Sequence, residues 1–172
     1  MGMTTTITVI IPVCNAAPAL AANLVEMADH FSLYAADYEF DYLILADRRA
    51  RETHQTASAF ARYRRNVTIS TRERHCGFAR TLRTALESAR GEFAIVLDGA
   101  LSYHPSVGME LVEVLEREQA DIALPSTRAR GLHRAAFAKE LQSGEKPAHK
   151  LWSALRFAFA REPALCFACR LQ

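Results

Sequence analysis

The chain has no apolar run near the roughly 20 residues that a membrane-spanning helix needs. Its opening, Met1-Gly2-Met3-Thr4-Thr5-Thr6, lacks the charged start and long apolar stretch of a secretory signal. Met1-Gly2 alone is too generic to mark a myristoylation site. The expectation is a soluble, cytoplasmic protein. A dominant charge is also missing: the formal net charge is +2 over 172 residues, too small to imply nucleic acid. The arginine runs Arg48-Arg49-Ala50-Arg51 and Arg62-Tyr63-Arg64-Arg65 read more simply as solvated helix faces than as a nucleic-acid groove. Cysteine is sparse, with Cys14, Cys76, Cys166 and Cys169. Cys166-Phe167-Ala168-Cys169 has zinc-like spacing, but no second pair completes a tetrahedral site. Two buried thiols of a reduced protein are the expected reading. No glycine-rich phosphate loop and no lysine-bearing signature is present, which argues against enzymes, such as nucleotidyltransferases, that would depend on them. Internal repeats and low-complexity stretches are absent as well.

What is present is a chain that is 50% hydrophobic, enough for one ordinary core. Ile7 to Val13 is nearly all apolar and β-rich, as a strand covered on both faces should be. Ala16 to Phe31 follows with helical spacing at Leu20, Leu24, Met27 and Phe31. Short apolar strands are predicted at Tyr42 to Ala46, Val67 to Ser70, Phe93 to Leu97 and Ile122 to Leu124. Helices are predicted at Glu52 to Arg65, at Ala79 to Ala89, and from Pro105, which suits a first helical turn. This alternation predicts an α/β fold, with a mostly parallel sheet and helices on both faces. Composition shifts near Ser126, so residues 1–127 are expected to form the main domain and 128–172 a short C-terminal extension.

The segment Gly91-Glu92-Phe93-Ala94-Ile95-Val96-Leu97-Asp98-Gly99-Ala100 reads as a buried strand delivering one aspartate to a loop. Open parallel sheets bind ligands at the carboxyl ends of their strands, and a carboxylate there is suited to a phosphate-bound metal. A second carboxylate two residues later would complete a metal clamp. Ala100 stands in its place.

Several motifs, in order, resemble family 2 glycosyltransferases, whose nucleotide-sugar domain has the GT-A fold. The likeness runs from about Ile7 to Thr127 and is nearest to the polyprenyl-phosphate (dolichyl-phosphate) sugar transferases. Ile10-Ile11-Pro12-Val13-Cys14-Asn15 is similar to that family's opening strand and turn, which lies beside the nucleotide base; Pro12, Val13 and Asn15 are the candidates for that edge. Leu45-Ala46-Asp47-Arg48-Arg49 stands where the family has Val-Asp-Asp-Gly-Ser, so Asp47 matches the second aspartate while Ala46 and Arg48 depart. A carboxylate there accepts hydrogen bonds from base or ribose. His75-Cys76-Gly77-Phe78-Ala79 is similar to the Asn-x-Gly loop, where Gly77 would let backbone approach the ligand. Arg80 or His75 would meet a diphosphate at the following helix N-terminus. Ala89-Arg90-Gly91-Glu92 matches the family's Ala-x-Gly-Asp/Glu segment, and Asp98-Gly99-Ala100 replaces Asp-x-Asp.

The resemblance implies a UDP- or GDP-sugar as partner, with Mg²⁺ or Mn²⁺ on its diphosphate. Asp98 alone would hold that ion weakly, since such ions take one or two protein carboxylates plus phosphate oxygens and water. His104 lies near enough in the loop to be a substitute ligand. No catalytic residue is fixed; Glu140, Glu145 and Glu162 are the acidic residues left for a base. Lys150-Leu151-Trp152-Ser153-Ala154-Leu155-Arg156-Phe157, followed by Phe159, resembles the helix before the cysteine-containing loop of the polyprenyl-phosphate enzymes, and Cys166-Phe167 echoes that loop. Its apolar stripe fits docking on the chain's own core, or contact with the inner face of a membrane or with a second copy in a homodimer. Two functions stay open: a sugar transferase, or a non-catalytic GT-A domain binding a nucleotide or partner.

Overall fold

The computed structural model describes residues 4–13, 18–47, 50–72, 78–125 and 166–171. The chain runs β1 (Thr5–Val13), α1 (Leu20–Ser32), β2 (Tyr38–Asp47), α2 (Arg51–Ala61), β3 (Val67–Arg72), α3 (Phe78–Ser88), β4 (Phe93–Leu97), α4 (Pro105–Glu118), β5 (Ile122–Ala123) and β6 (Cys166–Arg170). The strands form one six-stranded sheet in the order β3-β2-β1-β4-β6-β5. The pairs β1–β2, β1–β4 and β2–β3 are parallel. β6 pairs antiparallel with both β4 and β5, so β5 keeps the direction of β4. The α/β fold, mostly parallel with helices on both faces, is the one the sequence predicts.

Strand periodicity accounts for the two cores. Successive side chains alternate faces, so Ile7, Val9, Ile11 and Val13 of β1 join Phe93, Ile95 and Leu97 of β4 against α1, α2 and α4. Ile10, Leu43, Leu45, Ala94 and Val96 face the other way, onto Leu82, Ala85 and Leu86 of α3. α1 buries Leu20, Leu24, Met27 and Phe31, the helical stripe read from the sequence.

Gly91 explains the likeness of Ala89 to Glu92 to its family counterpart in packing terms. A Cβ there would sit 2.7 Å from the Thr6 carbonyl oxygen and 2.8 Å from both the Phe93 carbonyl oxygen and the Thr8 nitrogen. The Gly91 N–H donates to Thr8 Oγ1 at 3.0 Å, which satisfies the hydroxyl of a buried threonine.

β6 corrects the reading of the tail. The sequence places Cys166-Phe167 in a loop after a helix; instead, residues 166–170 form an inner strand, with Leu97 opposite Cys166 and Phe93 opposite Arg170. Arg170 lies over the Phe93 ring, its guanidinium carbon 4.9 Å from the centroid. Cys166 and Cys169 are both free and buried. Three positions apart on a strand, they point to opposite faces: Cys166 joins the α1/α4 core and Cys169 the α3 core. The zinc-like spacing therefore cannot bring the two sulfurs to one ion. Burial pushes both thiols up to about 12, and the Asp98 charge adds to the shift at Cys166. The Trp152–Phe159 stripe and Glu140, Glu145 and Glu162 lie outside the described residues, as do Cys14 and Cys76.

Candidate functional site

The register of the parallel strands brings the sequence-predicted residues to one edge. Val13 pairs with Ala46 and Pro12 with Leu45 at the ends of β1 and β2. Asp47 is the last residue of β2, opposite Arg72 at the end of β3. The Gly99 N–H donates to the Pro12 carbonyl at 3.1 Å, so Asp98, one residue past β4, lies beside the end of β1. Asp47 and Asp98 thus share the C-terminal edge of the sheet. Arg80 is exposed in the first turn of α3, which starts from the same edge because it follows the parallel strand β3. Asn15, Gly77, His75, Arg48 and Arg49 lie outside the described residues. The chain also leaves β5 and re-enters at Cys166 on this edge, since β5 runs with β4 and β6 against it.

Asp98 does local work in its loop. Its Oδ1 accepts the Ala100 N–H at 3.0 Å and the Ser102 N–H at 3.2 Å, and its main-chain carbonyl accepts the Leu101 N–H at 3.0 Å. These bonds hold Leu101 in the left-handed region at φ 56°, where a residue with a branched side chain is strained. Both side-chain bonds fall on Oδ1, and Oδ2 has no partner among the described residues. Gly99 sits where a Cβ would be 3.1 Å from both Leu20 Cδ1 and Val13 Cγ2, so the loop lies tightly against α1 and β1.

The structure gives His104 partners away from Asp98. Its Nδ1 accepts the Ser106 N–H at 3.2 Å and caps α4. Its Nε2 is 3.9 Å from Glu26 Oε1, and its ring stands edge-on to His30 with centroids 5.0 Å apart. Capping the helix and packing on α1 commit the imidazole elsewhere. Among the described residues no group of three or more His, Cys, Asp or Glu side chains could hold a metal. Among the described residues, this loop offers a divalent ion one unpartnered oxygen of Asp98, with the Ala100 methyl group where a second carboxylate would stand. These residues do not make the two-carboxylate clamp.

Two features of the edge escape the sequence reading. Asn23, on α1, donates through Nδ2 to the Gly99 carbonyl at 3.0 Å; a polar residue between Leu20 and Leu24 reads as solvent-facing, and no motif marks it. An open cleft of about 480 Å³ lies between α2 and the end of β3, lined by Arg51, His54, Gln55 and Thr71. Its residues come from two elements with no shared sequence pattern.

Solved structures share this fold. A mannosyltransferase from Pyrobaculum calidifontis, solved with GDP-Man and Mn²⁺, is 20% identical, with a TM-score of 0.57 over 75% of this chain and 37% of that one. Glucosyl-3-phosphoglycerate synthase from Mycobacterium tuberculosis, solved with UDP, is 18% identical, with a TM-score of 0.59 over 96% of this chain and 57% of that one. The 4-diphosphocytidyl-2C-methyl-D-erythritol synthase of Anaerococcus prevotii is 10% identical, with a TM-score of 0.52 over 92% of this chain and 77% of that one. At these identities the likeness is one of fold. The chain spans less than two thirds of the length of either of the first two. A search of curated proteins found no match. No helix among the described residues is long and apolar enough to cross a membrane. The glycosyl transferase family 2 model matches residues 8–169, from β1 through β6, and the chain belongs to that family.

Proposed function

We propose that the chain binds a nucleoside diphosphate sugar, UDP- or GDP-linked, along the C-terminal edge of its sheet. Pro12, Val13, Asn15 and Asp47 lie on the base and ribose side of this reading, and Gly77, Arg80 and Asp98 on the diphosphate side. The observation that supports it best is the strand register, which brings the ends of β1 and β2, with Pro12 and Asp47, and the residue after β4, Asp98, to one edge of the sheet. The two solved transferases, with GDP-Man and with UDP, carry nucleotides of this class on the same fold.

Binding is the stronger half of the proposal and transfer the weaker. Stabilising a departing diphosphate supplies much of the catalysis in such reactions, and two positions where carboxylates would act are Ala46, buried in the sheet, and Ala100. Each lost charged contact costs about 1–3 kcal/mol, and every 1.36 kcal/mol is about tenfold in rate. A domain that binds the donor and transfers it slowly or not at all is the second reading, and these alanines favour it. Metal dependence is correspondingly weak, with one Asp98 oxygen for an ion that the diphosphate would mostly hold. The polyprenyl phosphates are the first acceptor class to test, on the likeness of the Lys150 to Phe159 segment. That segment is also the proposed contact with a membrane surface or a second copy.

Calorimetric titration with UDP, GDP and their sugars, with and without Mn²⁺, tests the proposal. Micromolar to millimolar binding with a small Mn²⁺ effect that grows in Ala100→Asp is expected. No binding of any nucleotide overturns it. Strong Mn²⁺-dependent binding in the unmodified chain, lost in Asp98→Ala, refutes the weak-metal reading and argues for an active transferase.

A further inference from the structure

We propose that Asn23 is a positioning residue that fixes the direction of the Asp98 carboxylate at the ligand edge. The inference rests on the reading that Asp98 faces a nucleoside diphosphate. Two hydrogen bonds tie the start of the loop after β4 to the body of the protein, both at the peptide groups of Gly99, and Leu101 farther along packs against the core. The Gly99 N–H is held by the Pro12 carbonyl at 3.1 Å, and its carbonyl by Asn23 Nδ2 at 3.0 Å. Within the turn, Asp98 Oδ1 binds the Ala100 and Ser102 amides, and the Asp98 carbonyl binds the Leu101 amide.

The turn and the carboxylate are therefore tied together, and Gly99 is where hydrogen bonds join them to the strand end and to α1. One anchor is a strand end. The other is a side chain on α1, a helix held in place by four buried apolar residues, Leu20, Leu24, Met27 and Phe31. The bond from a rigid helix adds to the one from the strand end and limits how far the start of the turn can swing. Gly99 has no side chain to pack in its place, because Leu20 and Val13 already stand 3.1 Å from where a Cβ would be. Removing the Asn23 donor leaves a part-buried carbonyl unpaired and a left-handed Leu101 less well supported, so the turn relaxes and the free Asp98 oxygen loses its aim. Asn23 touches no ligand in this account. Its effect passes through Asp98.

The test is a thermodynamic cycle read by GDP and UDP titration on the full chain. Asn23→Ala suits the helix and removes the donor; Asn23→Asp keeps the shape and sets a carboxylate against the Gly99 carbonyl. Titrated with and without Mn²⁺, each is expected to remove most of the small Mn²⁺ effect on diphosphate binding, since Asp98 meets the anionic diphosphate through the ion. In an Asp98→Asn background the same substitutions should cause little further loss, because the group they orient no longer carries charge. Equal losses in both backgrounds, or no loss in either, overturn the proposal. If the unmodified chain binds neither nucleotide, the functional reading fails, and hydrogen exchange at the Ala100 and Ser102 amides decides the positioning claim. Faster exchange in Asn23→Ala, with α1 amides unchanged, supports it; unchanged exchange at both refutes it.

Discussion

Replacing Asp98 in two different ways separates what it does for its loop from what it does for a ligand. Asp98→Asn keeps an oxygen able to accept the Ala100 and Ser102 amides, now at 3.0 and 3.2 Å, and removes the charge. Asp98→Ala removes both bonds. A net intramolecular hydrogen bond is worth roughly 0.5–1.5 kcal/mol, and more when one partner is charged. The turn is open to solvent, so the lower part of that range applies, about 1 kcal/mol for each bond. The left-handed Leu101 at φ 56° then has less to hold it, and the alanine variant should lose about 2 kcal/mol in all. For a chain of this size that is roughly 4–8 °C in Tm. Asp98→Asn should melt within about 2 °C of the unmodified chain, yet lose the Mn²⁺-dependent part of nucleotide diphosphate affinity as fully as Asp98→Ala does. Thermal melts by circular dichroism with parallel calorimetric titrations measure both quantities. Equal Tm losses in the two variants would refute the account of the loop. An undiminished Mn²⁺ effect in Asp98→Asn would refute the role of the charge at the ligand edge.

Gly91→Ala should destabilise the fold by about 1–3 kcal/mol, because the added methyl meets only backbone atoms at 2.7–2.8 Å, and backbone cannot rotate aside; an unchanged denaturation midpoint would contradict this packing. With Cys14→Ser and Cys76→Ser in place, Cys166 and Cys169, pushed up to about 12 by burial, should ignore a thiol reagent in the native state and react as two equivalents in guanidinium. A fast native equivalent would show that one of them is accessible. Burial, then the neighbouring His104, hold the His30 imidazole below its ordinary range, with Glu26 opposing. The unfolded chain therefore takes up that proton first, and stability should fall as pH drops through about 6.5. The decline should be shallower in His30→Phe, and an identical pH slope in the two proteins would remove His30 as a contributor.

The sequence by itself determined the parts of this protein that follow from periodicity. The apolar run at Ile7 to Val13 and the one at Phe93 to Leu97 had to be strands covered on both faces, and the Leu20, Leu24, Met27, Phe31 spacing had to be a helix face, because a 2-residue or a 3.6-residue period leaves apolar groups in water in any other conformation. Alternation then required a parallel sheet, and a parallel sheet carries the residues at its strand ends to one edge, which is why Asp47 and Asp98 were legible as neighbours 51 positions apart. Tertiary structure alone decided what depends on partners distant in the chain. Five residues from Cys166 carry no period long enough to distinguish strand from loop, and only the open edge of β4 makes them an inner strand. That pairing also sends Cys166 and Cys169 to opposite faces, which ends the metal reading. Asn23 meets Gly99 across 76 positions, and His104 turns to α1 rather than to Asp98, because each contact is set by how α1 lies across the sheet. Local spacing specifies the elements and their order; the relative placement of side chains on different elements is fixed by packing, and it is there that a binding edge acquires its direction.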